Sequence, residues 1–427
     1  MKCRRVSRLL SALCWLAAIT PWEIHAASPV TEVVGTGNSS IDIPAVQTAV
    51  DQGGEVRLKG AFSFDAPPTH ALPPAFVAVA YPKATVLVSK SVAISGSGGD
   101  DEDRAVISAG TIPFYVLAPG ASVRIERLRF VHPVAEAVLV SAAGGLTIAS
   151  CRIEHVDPLS GFGSVGFELN TSGDIPTPAN PGQPQNVSGP LLIANNEIDM
   201  TGGTATDNTV GIAVWSVGAA GGEVQAFITG NTITNFNEKG INIRRALGRV
   251  SIERNLVVSD TVQGAAPGES GIFVANLGSY LIADNVVRAR WTFGQGYGID
   301  VRTQARYPQW AITEATVVGN DIRMEAPAST DFGASSPSAG IDVFGNAQRN
   351  TIQGNSVRGH ARTALLVTAQ GGIASDNTFA LNDVDEFDAS VTDLTVDTGV
   401  MNTRIIGQGG SIEDLGVNTS VIPLAEF

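Results

Sequence analysis

Two short apolar signatures alternate along this chain from about residue 128 to residue 380, and their spacing limits the fold more than any other feature. The first is an Asn-x-apolar corner: Asn196-Glu197-Ile198, Asn231-Thr232-Ile233, Asn255-Leu256-Val257, Asn285-Val286-Val287, Asn320-Asp321-Ile322, Asn355-Ser356-Val357 and Asn377-Thr378-Phe379. Leu128-Arg129-Phe130 and Cys151-Arg152-Ile153 hold the same place without the Asn. Between corners lies a Gly-Ile-x-Val strand, clearest from Gly211, Gly240, Gly271, Gly298 and Gly340 and looser from Ala137, Gly166 and Ala364. Corner-to-corner spacings are 23, 45, 35, 24, 30, 35, 35 and 22 residues. A floor near 22 with irregular excess describes one structural unit carrying loops of variable length, which is the mark of a solenoid. Each rung of a solenoid touches only its neighbours, so one core runs the whole length and a single domain is expected.

Strand character dominates elsewhere. Residues 56–58, Thr85–Val88, Val92–Ile94 and Val123–Ile125 are β-branched runs bounded by Gly and Pro. The one good helix signal covers 42–52: Asp42 at a cap position, Pro44 in the first turn, Val46, Ala49 and Val50 on one face, Gly53-Gly54 as the stop. A helix there would cover the open end of the core, where an unpaired edge is otherwise exposed. In the repeats, the apolar pair of Gly-Ile-x-Val alternates with variable residues and so points inward. The corner Asn amides can bond one another from rung to rung, which makes them structural rather than catalytic.

The first 26 residues read as a secretory signal: Lys2, Arg4, Arg5 and Arg8, an apolar run from Leu9 to Ile19, then Ile24-His25-Ala26. The run is too short to span a bilayer, and the expectation is export to the periplasm or the medium. Cleavage would remove four of 27 basic and one of 41 acidic residues, taking the net charge from −14 to −17. Such a surface disfavours nucleic acid and anionic membranes as partners. Only Cys151 would remain of three cysteines, placed as a buried structural thiol. The histidines at 70, 132, 155 and 360 lack ligand spacing for zinc, and no phosphate loop or nucleophilic triad signature is present.

The order Gly-Ile-x-Val, short turn, apolar strand, Asn-x-Ile resembles the right-handed parallel β-helix of the pectate-lyase-like superfamily, over roughly residues 120–390. The resemblance implies an all-β, right-handed parallel β-helix of about ten rungs with a short N-terminal capping helix. Its expected divisions are a cap and first rungs at 27–120, repeats at 121–390 and terminal rungs at 391–427. Asp397-Thr398-Gly399 with Asn402-Thr403, and Asp414-Leu415-Gly416 with Asn418-Thr419, repeat each other and look like terminal rungs. The family includes lyases, hydrolases, epimerases, adhesins and silent proteins, so the resemblance implies polysaccharide as partner without naming a reaction. Motifs of its characterised enzymes are missing: Gly359-His360-Ala361 is a fragment of the polygalacturonase Gly-His-Gly, and Arg306-Tyr307-Pro308 is a fragment of the pectate-lyase Arg motif.

In that family the outward face of the Gly-Ile-x-Val sheet floors the substrate cleft. Three rungs carry polar residues there: Asn242 with Arg244, Asp300 with Arg302, and Asp342. Asp300 and Asp342 fall on consecutive rungs, about 4.8 Å apart. Like charges so close raise one pKa, and about 5 Å is the separation found in retaining glycosidases. Asp300, Asp342 and Arg302 are therefore the candidate catalytic residues. The alternative use of two carboxylates is to hold Ca²⁺, with Arg302 or Arg244 facing a uronic acid; a third is an Asp–Arg face that pairs charges across rungs. Of the eight Trp and Tyr outside the signal, Trp291, Tyr297, Tyr307 and Trp310 crowd around the Asp300 strand, and aromatic rings suit the apolar faces of sugars. Trp291, Tyr297, Trp310, Asn242 and Arg244 are the candidate substrate-binding residues. They predict an open groove walled by loops at 288–297 and 323–338 of a monomer, belonging to a polysaccharide lyase, a glycoside hydrolase or a non-catalytic glycan-binding or scaffold solenoid.

Overall fold

A computed structural model describes residues 30–67, 69–71, 83–98, 104–157, 164–169, 187–202, 209–215, 224–246, 248–259, 269–276, 278–290, 296–303, 312–325, 338–369 and 372–423. The signal-like segment lies outside them. Among the described residues, thirty-three strands are hydrogen-bonded into one continuous parallel sheet that winds through three faces. The first face is the Gly-Ile-x-Val sheet, with strands at Thr209–Val214, Lys239–Arg244, Glu269–Ala275, Gly296–Arg302 and Ala339–Phe344. The second begins at Val30–Val34 and ends at Ser420–Ile422, and the third follows the Asn corners. The solenoid thus starts well before the 120 boundary of the repeats, because Val30–Val34 already pairs in register with Glu55–Lys59.

The core is built by like stacking on like. Ile241, Ile272, Ile299, Ile341 and Leu365 lie in one register row, and all are fully buried. The signature glycines stack beside them. A Cβ on Gly240, Gly271 or Gly340 would sit 2.2–2.4 Å from a methyl of Val257, Val287 or Val357 respectively. Those valines close the Asn-x-Val corners, so the two signatures are two halves of one contact.

Each corner turns on a residue with φ between 53° and 67° followed by a buried Asn: Asn195, Gly230, Arg254, Asp284, Gly319, Gly354 and Leu381 precede Asn196, Asn231, Asn255, Asn285, Asn320, Asn355 and Asn382. Every Asn but the last donates its side-chain amide to the Oδ1 of the next at 2.8–2.9 Å. Asn377 is not a member of this ladder. It continues a second one, receiving the amide of Asn350 at 2.9 Å, at the corner that opens the strand Thr378–Ala380 of the second face. The reading of Asn377 as a corner of the first series is corrected accordingly; Asn382 holds that place.

The capping helix, α1, runs from Ser39 to Gln52, longer than expected. Its cap is Asn38, whose Oδ1 accepts from Ser40 N–H at 3.1 Å, rather than Asp42. Asp42 turns its carboxylate away to accept from Thr36 and Ser63. Val46, Ala49 and Val50 are buried against the first rungs. At the other end, Arg404–Ile406 pairs with Ser420–Ile422, so the repeated Asp/Asn segments are stacked rungs.

Candidate functional site

The outward row of the Gly-Ile-x-Val sheet runs Glu168, Ala213, Asn242, Phe273, Asp300, Asp342, Leu366 in register. Asp300 and Asp342 are therefore direct cross-strand neighbours. Arg302, two residues after Asp300 and on the same side of the strand, reaches both. Its Nε donates to Asp300 Oδ1 at 3.1 Å and its Nη2 to Asp342 Oδ2 at 3.2 Å. The guanidinium carbon lies 5.0 Å from the Tyr297 ring centre and 4.5 Å from that of Phe344.

Two rungs toward the N-terminus stands a second constellation. Arg244 Nε donates to Asn242 Oδ1 at 3.1 Å, and its guanidinium lies 4.4 Å from the Trp215 ring and 5.2 Å from that of Phe273. Lys239 joins it, paired with Glu238 and 5.3 Å from the Phe273 ring. Of the predicted site residues, the structure brings Asp300, Arg302, Asp342 and Tyr297 into one cluster and places Asn242 and Arg244 beside it. Trp291, Trp310 and most of the two expected wall loops lie outside the described residues. Lys239, Trp215, Phe273 and Phe344 were not singled out from the sequence.

The pair points away from the solenoid core, yet it is not open. Asp300 is 1 % and Asp342 0 % exposed, and Tyr297 is equally covered. The expectation of a solvent-facing groove is corrected on this point: outward from the sheet and exposed to water are different conditions here.

Burial dominates the electrostatics. It raises the pKa of Asp300, against the opposing charges of Arg302, Lys239 and Arg244. Asp342 is pushed up to about 8 by burial and by the charge of Asp300, with Arg302 opposing. At neutral pH the pair accordingly holds a proton, favoured on Asp342. Arg302 occupies Oδ2 of Asp342, while Oδ1 is buried without a hydrogen-bond partner among the described residues. A buried polar atom left unpaired is costly and rare. Ca²⁺ does not fit this pair, because the guanidinium already bridges the two carboxylates. Among the described residues no group of three or more His, Cys, Asp or Glu is arranged to hold a metal ion, and no helix is long and apolar enough to cross a membrane.

Residues 116–384 match the family model described as a right-handed β-helix region. No curated protein sequence matches the chain. Among solved structures, it is similar to a DFA-IIIase from Arthrobacter chlorophenolicus A6 in complex with GF2 (16 % identity, 91 % of this chain and 93 % of that one, TM-score 0.45). A tailspike protein mutant of E. coli bacteriophage HK620 in complex with a pentasaccharide gives 12 %, 90 %, 78 % and 0.46. The A-module of a mannuronan C-5 epimerase from Azotobacter vinelandii gives 12 %, 91 %, 97 % and 0.38.

Proposed function

This chain belongs to the right-handed β-helix family, and we propose that it is an exported protein that cleaves a polysaccharide at the outward face of its Gly-Ile-x-Val sheet. The observation that carries this reading is the unpartnered Oδ1 of a buried carboxyl lying in register beside a second carboxyl, the burial and the neighbouring charge both pushing its pKa up. Asp342 would give the Oδ1 proton to the glycosidic oxygen as the bond from that oxygen to the anomeric carbon breaks. Asp300 would supply the electron pair to the anomeric carbon, with Arg302 holding both groups in place. About 5 Å between the carboxyls suits retention of configuration through a covalent intermediate. Trp215 and Phe344, both partly exposed, would offer ring surface to sugars along the sheet.

A second reading rests on the burial of both carboxylates. In it, the Asp300–Arg302–Asp342 cluster pins the sheet face, and the chain binds glycan without turnover. The separating experiment is a screen of neutral and uronic-acid polysaccharides, following new reducing ends and the absorbance of unsaturated products. Loss of turnover in both Asp300→Asn and Asp342→Asn, with folding retained, selects the hydrolase. Unsaturated product would replace it with a lyase, and binding without turnover, indifferent to both substitutions, selects the module.

A further inference from the structure

Arg302 treats the two carboxylates nearly alike, with bonds of 3.1 and 3.2 Å. The remaining cations of this face do not. Lys239 is 4 % exposed, and it reaches the outward face although it precedes an inward-facing glycine. Its ammonium and the Arg244 guanidinium both hang over the ring of Phe273, at 5.3 and 5.2 Å. Phe273 sits in register between Asn242 and Asp300, and Asp342 lies one rung beyond Asp300. Both cations therefore stand on the Asp300 side of the pair, with Asp342 farther by about 4.8 Å. Coulombic attraction falls with distance and is strong where water is excluded, so negative charge is favoured on the nearer carboxylate.

We propose that Lys239 is a positioning charge that keeps Asp300 ionised and so leaves the single shared proton on Asp342. The assignment rests on the acid–base reading of the pair given above, and it adds a residue that fixes which member plays which part. The groups facing Asp300 are Arg302, Asp342, Tyr297, Lys239 and Arg244, with Glu238 facing it through Lys239. Lys239 and Arg244 both act to lower the Asp300 pKa, and Asp342 lies one rung farther from both. Glu238 has a part in this: burial disfavours the ammonium form of Lys239, and the Glu238 carboxylate counters that.

The test follows ionisation directly rather than turnover. Carbon NMR of labelled Asp side chains is recorded against pH in the full chain, with Asp300→Asn and Asp342→Asn identifying the two resonances. Lys239→Met should move the Asp300 midpoint up by about one pH unit, while Lys239→Arg leaves it close to wild type. Glu238→Gln should move it up as well, since the ammonium then loses the carboxylate that holds it charged against burial. A shift in Lys239→Met that Lys239→Arg does not show is not what a loosened structure gives. If Lys239→Met does not fold, Glu238→Gln against wild type carries the comparison. An unmoved Asp300 midpoint, or an Asp342 midpoint that moves as far, overturns the proposal. Should the midpoints behave as stated while no glycan is cleaved, the acid–base reading falls and the charge placement stands.

Discussion

Replacing Asn285 with Ala is the sharpest probe of how this solenoid is held. Asn285 Oδ1 accepts from both the backbone N–H and the side-chain amide of Asn255, at 3.0 and 2.9 Å. Its own amide donates to Ile252 O and to Asn320 Oδ1, each at 2.9 Å. Alanine strands the Asn255 N–H outright and removes a donor from Ile252 O, all at fully buried positions. At about 1–3 kcal/mol per stranded group, the loss is about 2–4 kcal/mol, or roughly thirty- to several-hundredfold faster local opening. A long repeat array need not unfold in one step, so hydrogen exchange of the 248–259 and 278–289 segments is read beside a urea melt. Asn285→Asp refines the test, because a carboxylate still accepts from Asn255 but opposes Asn320 Oδ1. Its deficit against wild type should be large at pH 8 and shrink near pH 4, where a protonated oxygen can donate again. An aspartate variant indistinguishable from wild type at pH 8, or an alanine variant with unchanged exchange, would refute the ladder.

Gly271→Ala should cost about 1–3 kcal/mol in a melt, because its Cβ would lie 2.4 Å from Val287 Cγ1; Val287→Ala in the same chain should restore part of it, and no restoration would mean the clash lies elsewhere. Asp342, with its pKa raised to about 8, holds a proton in the folded chain that the unfolded chain releases near pH 4. Its stabilising contribution is complete below about pH 4 and is lost as pH rises toward 8. Melting temperatures of Asp342→Asn should therefore gain on wild type from pH 5 to pH 8, and a constant difference would contradict the raised value. The Cys151 thiol is fully buried and pushed up to about 12 by burial; iodoacetamide should label it only in denaturant, as read by peptide mass spectrometry.

The rungs were legible because their inward residues repeat with the period of the backbone. Legibility ended where two different physical units use the same letters. Asn377 opens with the same Asn-x-apolar pattern as Asn355, yet a second corner with its own Asn pair, Asn350 and Asn377, produces that pattern too. Lys239 escaped for a local reason. Strict alternation back from Ile241 turns it inward, but the pairing skips Gly240, which itself faces the core, and Lys239 lands on the outer side. A glycine recurring at the head of each strand was the available signal for that break. The Asp300–Asp342 adjacency followed from equal offsets after consecutive glycines. Their burial did not, since whatever covers a sheet face comes from elsewhere in the chain.

The in-register stacking also makes this face a ruler graduated in rungs. Its divisions are set by backbone hydrogen bonds, about 4.8 Å each, and not by the side chains they carry. The turn from Gly271 to Tyr297 is one whole division, lying between the Lys239–Arg244 rung and the Asp300 rung. Excising that stretch joins Ser270 to Gly298 and brings the cations one mark closer to the carboxyl pair, with both Asn and Gly partners still meeting their counterparts. Duplicating it moves them one mark apart. Distances between charges on this surface can thus be changed in whole steps while every contact type in the core is kept.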